Sequence, residues 1–135
     1  MLLDVINLHT HFKVGFDQTA KAVNGVSFNL ASGQTLALVG ESGCGKTQTA
    51  FSLIRLIAEN GFHPSGEIFF DGKNLSLLSE AEMQSLRGND IAMVFQEPMT
   101  SLNPLYRIGN QLEEPLRQHR KIGQGSARKR AIELL

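Results

Sequence analysis

The sequence predicts an α/β protein: an N-terminal antiparallel β layer, a phosphate-binding core, then the start of an α-helical subdomain. Three observations predict it. Residues 3–12 and 20–30 mix apolar and polar positions in the alternating manner of half-buried strands. Residues 40–47 read Gly-Glu-Ser-Gly-Cys-Gly-Lys-Thr and fill every fixed position of the phosphate-loop pattern G-x-x-x-x-G-K-[ST]. The stretches 108–119 and 126–135 carry helical patterning at the C-terminal end.

The elements follow in chain order. Residues 3–12 form the first strand, 13–19 a loop, and 20–30 a second extended stretch with a break at Asn24-Gly25, a pair suited to a tight turn or bulge. Ser32-Gly33 turns into residues 34–39, a short apolar run expected to be a buried strand. From Thr47 to Ala58 the apolar residues Ala50, Phe51, Leu53, Ile54, Ile57 and Ala58 fall at helical spacing, and Asn60-Gly61 is expected to end that helix. Residues 66–72 read as a strand closed by a turn. Ser79 with Glu82 is a capping box opening a short helix that runs to Gly88. Residues 90–95 read as another buried strand and 96–104, with two prolines, as a loop. Pro115, inside the 108–119 helix, is expected to kink it or to sit in the first turn of a new one.

The phosphate loop carries the chemistry. Binding a triphosphate needs many N–H donors converging on a small concave surface. Gly43 and Gly45 lack a Cβ, so the backbone can take positive φ there and approach phosphate closely. The amides of Gly43, Cys44, Gly45, Lys46, Thr47 and Gln48 are then expected to form an anion nest, reinforced by the helix beginning near Lys46. Gly40, Glu41 and Ser42 complete the loop. Lys46 would reach the β- and γ-phosphates, and the Thr47 hydroxyl would ligate the Mg²⁺ that bridges them. A nucleoside triphosphate such as ATP, with Mg²⁺, is therefore the expected cofactor. Cys44 stands at a position open to many residue types. It is a small filler, or a reactive thiol beside a helix terminus and an ammonium.

Bulk properties narrow the class. The 135 residues suffice for one modest core. Thirteen basic residues balance thirteen acidic ones, so no global field points to nucleic acid. A single cysteine excludes an internal disulfide and fits a reducing compartment. The start, Met-Leu-Leu-Asp-Val, lacks the basic region and cleavage site of a signal peptide, and no apolar run approaches the ~20 residues of a membrane-spanning helix. A soluble, cytoplasmic polypeptide is expected. Arg117, Arg120, Lys121, Arg128, Lys129 and Arg130 fall together without an acid among them. They read as the solvated face of a helix pair, with contact to a membrane surface or an acidic partner as the alternative. His9 and His11 would share a strand face, but His9, His11, His63 and His119 show no metal-ligand spacing.

A second motif narrows the phosphate loop to one class. Phe-Gln-Glu-Pro-Met-Thr-Ser-Leu-Asn-Pro, residues 95–104, follows an apolar run about 50 residues past the lysine. It resembles the Q-loop of ABC-transporter ATPases, and more narrowly that of the oligopeptide, dipeptide and nickel importer branch. The approach Leu-Ala-Leu-Val-Gly-Glu-Ser-Gly (36–43) and the stretch Ala-Val-Asn-Gly-Val-Ser-Phe (22–28) are similar to the same branch. The resemblance implies a P-loop NTPase (RecA-like) core, with residues 1–95 as the β layer plus core and 96–135 as the Q-loop and start of the helical subdomain. It implies that Phe12, or less well Phe16, stacks on adenine. Gln96 would contact Mg²⁺ and help position the attacking water, an amide being able both to donate and to accept. Residues 97–107, from Glu97 on to Arg107, would dock on a membrane permease. A second ATP-binding subunit and, indirectly, a solute-binding protein complete the implied partners, with the chain peripheral on the inner face of the cell membrane.

Other parts of the family pattern are missing. The 135 residues contain no Leu-Ser-Gly-Gly-Gln segment and no apolar run followed by Asp-Glu. The sequence is read as the N-terminal part of a longer protein, truncated before Walker B. Taken alone it is expected to be marginally stable and unable to hydrolyse ATP. Three readings follow: the motor subunit of an importer for peptides or related small solutes, another P-loop enzyme such as a small-molecule kinase, or a nucleotide-binding remnant without catalysis.

Overall fold

A computed structural model of the chain describes residues 1–96 and 102–135. It divides into two compact units, Met1–Met83 and Gln84–Leu135.

The first unit is built on two long antiparallel strands, β1 (Leu3–Lys13) and β2 (Thr19–Leu30). Helix α1 (Lys46–Leu53) follows the phosphate loop. The short strands β3 (Gly61–Phe62), β4 (Glu67–Phe70) and β5 (Lys73–Asn74) complete an antiparallel sheet in the order β2-β1-β4-β5, with β3 also on β1. A 3₁₀ turn at Leu75–Leu77 leads to α2 (Glu80–Leu86). Val5, Leu8, Val23, Ile54, Ile68, Leu75 and Met83 are its buried apolar side chains.

Local chemistry explains these elements. The ladder between β1 and β2 slips at three places, and one of them is Gly25: His9 pairs with Asn24 and Leu8 with Val26, leaving Gly25 unpaired at φ 76°. The Asn24-Gly25 break is thus a β-bulge. A second slip, between Thr10 and His11, leaves Ala22 as the extra residue of β2. The β4–β5 hairpin turns through Asp71 (φ 47°) and Gly72 (φ 76°), both left-handed, as a two-residue turn matched to strand twist requires. The capping box forms as expected: the Ser79 amide and hydroxyl donate to Glu82 Oε2 at 2.7 and 2.6 Å, and the Glu82 amide donates to Ser79 Oγ at 3.3 Å. Those bonds from Ser79 hold the Glu82 carboxyl below its ordinary range.

Helix α1 is shorter than its apolar spacing suggests. It stops at Leu53 rather than Ala58, because Arg55 adopts a left-handed conformation (φ 53°). The Arg55 amide then donates to Ser52 O and the Leu56 amide to Phe51 O, at 3.1 and 3.0 Å, a Schellman-type closure with arginine where glycine is usual. The Arg55 guanidinium offsets the backbone strain by donating to the carbonyls of Leu75 and Leu78, at 3.2 and 2.5 Å. Gly61 does not end this helix; it lies in β3.

Two expected strands do not form. Among the described residues, 34–39 and 90–95 belong to no ladder, and the second run makes one isolated bridge, Arg87 to Ile91. They are not buried either, with Val39 90% and Val94 95% exposed. The reason is lateral. A strand of a parallel sheet exists through neighbours that pair its N–H and C=O groups and helices that cover its faces, and neither run has a paired neighbour among the described residues.

The second unit contains α3 (Ile108–Arg120) and α4 (Gln124–Glu133), which pack on each other around Ala127 and Ala131. Pro115 lies within a single assigned helix. Lys121, left-handed at φ 51°, ends α3. The basic residues of this hairpin are exposed; Arg130 pairs with Glu133 at 2.8 Å. No helix among the described residues is long and apolar enough to cross a membrane.

Candidate phosphate-binding site

Residues 40–45 form a turn closed by the Cys44 amide donating to Glu41 O at 3.3 Å. Gly43 (φ 81°) and Gly45 (φ 95°) are both left-handed, as anticipated for the two glycines nearest the helix. Gly45 is the N-cap of α1, and the Thr49 amide and hydroxyl both donate to its carbonyl, at 2.8 and 3.0 Å. The helix has no side-chain cap and no acid in its first turn. Its opening amides, those of Lys46, Thr47 and Gln48, are beyond the reach of any helical acceptor. They form the donor-rich end that attracts an anion.

The loop is seated on the sheet through the bulge. A Cβ on Gly45 would lie 2.2 Å from Ala22 O, the carbonyl of the extra residue in β2. On Gly43 a Cβ would meet nothing within 4 Å. Gly40 is tight for another reason, since a Cβ there would lie 2.6 Å from Cys44 Sγ. The Lys46 ammonium spans the loop, donating to Gly40 O and Glu41 O at 2.7 Å each, with Cys44 Sγ at 3.6 Å. Lys46 is half-buried, and its ammonium is already held over the turn. A phosphoryl group entering there would exchange two neutral acceptors for a charged one, which forms stronger bonds.

Among the other expected site residues, Phe12 is fixed in β1 between Ala20 and Gly61, and its ring lies across Gly61, where a Cβ would come within 2.8 Å of it. Phe16 is fully exposed in the loop between β1 and β2. Gln96 is described in the second unit; of residues 97–107, those from 97 to 101 lie outside the described residues. Thr47 and Gln96 offer hard oxygen donors of the kind Mg²⁺ takes. No group of three His, Cys, Asp or Glu gathers among the described residues, so a magnesium ion at the Thr47 hydroxyl would draw further ligands from phosphate and water.

Beside the loop runs a set of contacts that the sequence did not reveal. Thr10 and Ser52, both fully buried, meet at 2.7 Å, and His63 Nδ1 lies 3.1 Å from Thr10 Oγ1. His9 and His11 share a face of β1 with their rings edge-to-face at 5.8 Å, and His11 packs likewise on Phe62. Desolvation, followed by Lys21 and His9, pushes the His11 pKa down, and its Nε2 is buried without a hydrogen-bond partner among the described residues.

A family model described as ABC transporter matches residues 23–135. The chain belongs to the ABC transporter family. It is 50% identical over 99% of its length to a dipeptide transport ATP-binding protein of Lactococcus lactis subsp. cremoris (strain MG1363), and 49% identical over 99% to the oligopeptide transport ATP-binding protein of Bacillus subtilis (strain 168). It spans 38% and 37% of those two relatives. Among solved structures, a dimeric bacterial ABC transporter cassette, MJ0796, superposes with a TM-score of 0.81 at 26% identity, covering 97% of this chain and 54% of that one. A post-hydrolysis state of the same cassette, bound to ADP and Pi, superposes at 0.78 with 24% identity. The expected P-loop NTPase class and peptide-importer resemblance are both borne out.

Proposed function

We propose that this chain supplies the ATP-binding surface of the motor subunit of an ABC importer for peptides or related small solutes. One observation carries the reading. The loop 40–47 presents two left-handed glycines, an uncapped helix end and an ammonium poised over the turn, all within one eight-residue segment.

In this reading the amides from Gly43 to Gln48 bind the phosphates of ATP, and Lys46 leaves its two carbonyls for the β- and γ-phosphoryl oxygens. Thr47 and Gln96 would hold Mg²⁺, which supplies charge neutralisation between the phosphates when bound. Glu41, Ser42 and Cys44 contribute backbone to the loop, and Phe12 supplies an aromatic face for adenine. The segment 97–107 transmits the nucleotide state to a permease at the inner face of the membrane, and a second ATP-binding subunit closes on the first. The names of the peptide-transport relatives and the dimeric cassette support these assignments.

Cys44 provides the test. Its thiol is exposed beside the ammonium that would bind phosphate. A thiol-alkylating reagent should label it readily in the free chain, and saturating Mg-ATP should slow that labelling at least about tenfold by covering the loop. Equal labelling rates with and without nucleotide would count against the reading.

A further inference from the structure

Helix α1 is an unusual support for a charged site. Its two buried side chains are both hydroxylated, Thr49 and Ser52, where an aliphatic stripe would be ordinary. Directed hydrogen bonds therefore do much of the work of orienting it. Thr49 bonds within the helix, to Gly45 O, whereas Ser52 reaches the sheet through Thr10.

The direction of those links can be deduced. Ser52 Oγ lies 2.6 Å from Gln48 O, a carbonyl that can only accept, so Ser52 donates there. Its one proton is then spent, and at the 2.7 Å contact Thr10 must be the donor to Ser52. Thr10 in turn has no proton left for His63, so His63 Nδ1 must carry the hydrogen at the 3.1 Å contact. The same Nδ1 lies 3.2 Å from His9 O, again an acceptor only, so its one hydrogen is shared between Thr10 Oγ1 and His9 O in a three-centre bond. The chain runs His63 Nδ1–H to Thr10, Thr10 to Ser52, Ser52 to the Gln48 carbonyl in the first turn of α1. One end is an exposed imidazole; the other is the turn that follows Lys46 and Thr47.

We propose that His63 is a positioning residue for the phosphate loop: through Thr10 and Ser52 it fixes the rotation of α1, and hence the aim of the opening amides and of Lys46. The proposal rests on the nucleotide-binding reading above. Its elements come from distant parts of the sequence, 42 positions apart for Thr10 and Ser52 and 53 for Thr10 and His63.

The test compares paired variants of the full chain, titrated with Mg-ATP at a temperature where circular dichroism shows each to be folded. Thr10→Val and His63→Phe remove the relay. Thr10→Ser keeps the hydroxyl, and His63→Asn places an amide N–H where Nδ1–H stood. The first pair should bind Mg-ATP about tenfold more weakly, and the second within about twofold of the parent, because a broken buried link leaves its partner unsatisfied. Equal binding by all four, or by Phe and Asn at position 63, overturns the proposal while leaving the nucleotide reading intact. Absence of saturable binding by the parent overturns both. A nitrogen-15 spectrum of the parent's His63 ring gives a check that needs no variant: the relay requires a protonated Nδ1, and an Nδ1 without hydrogen overturns it.

Discussion

Gly45→Ala is expected to destabilise the chain by roughly 3–5 kcal/mol, a large share of the about 5–15 kcal/mol that holds an ordinary domain folded. Two effects add. An alanine at φ 95° sits in a backbone region that costs an L-residue about 1–2 kcal/mol. Its Cβ would also lie 2.2 Å from Ala22 O, a backbone atom locked in the bulge of β2, which cannot swing away as a side-chain tip would. Gly43→Ala is the control. It carries nearly the same φ, 81°, but faces open space, so only the first cost applies, about 1–2 kcal/mol. Urea midpoints for the two variants and the parent measure the difference. A large gap between the glycines supports the seating of the loop on the bulge; equal destabilisation would show that backbone conformation alone is at stake.

Lys46→Ala should behave in the opposite way, costing affinity and little stability. Lys46 is only half-buried, and its two bonds go to carbonyls of exposed residues that water can serve equally well, so the urea midpoint should move by less than about 0.5 kcal/mol equivalent. Mg-ATP binding loses a charged partner for the terminal phosphates. Charge-assisted bonds of this type are worth roughly 1.5–3 kcal/mol, so affinity should fall by one to two orders of magnitude, about 10- to 150-fold. Isothermal titration of parent and variant gives the number. Unchanged affinity would remove the lysine from the site, and a large stability loss with unchanged affinity would make it a structural clamp on the loop.

The legible parts of this molecule were those whose signals are local. The phosphate loop needs two glycines, a lysine and a hydroxyl within eight residues, and all act on their own neighbourhood. Ser79 with Glu82, the Asn24-Gly25 break, and the α3 and α4 helices are likewise decided by residues a few positions apart. The illegible parts depend on neighbours far away in sequence. Residues 34–39 and 90–95 have strand composition, but strand formation needs a lateral partner, which composition cannot supply. The stop of α1 at Arg55 depends on the carbonyls of Leu75 and Leu78, some twenty positions on. Thr10, Ser52 and His63 are ordinary polar residues until the fold brings them together. Asn60-Gly61 carries the local signal of a helix terminator, yet Gly61 lies in β3, where the Phe12 ring lies across it.

Amide hydrogen exchange across residues 40–50 tests the binding nest most directly. The account predicts that Mg-ATP slows exchange at the amides of Gly43 to Gln48, because phosphate oxygens become their acceptors, and that Lys46→Ala needs about 10- to 150-fold more nucleotide for the same slowing. Exchange that stays fast at those six amides in a parent chain saturated with nucleotide would contradict it, and would place the triphosphate somewhere other than this loop.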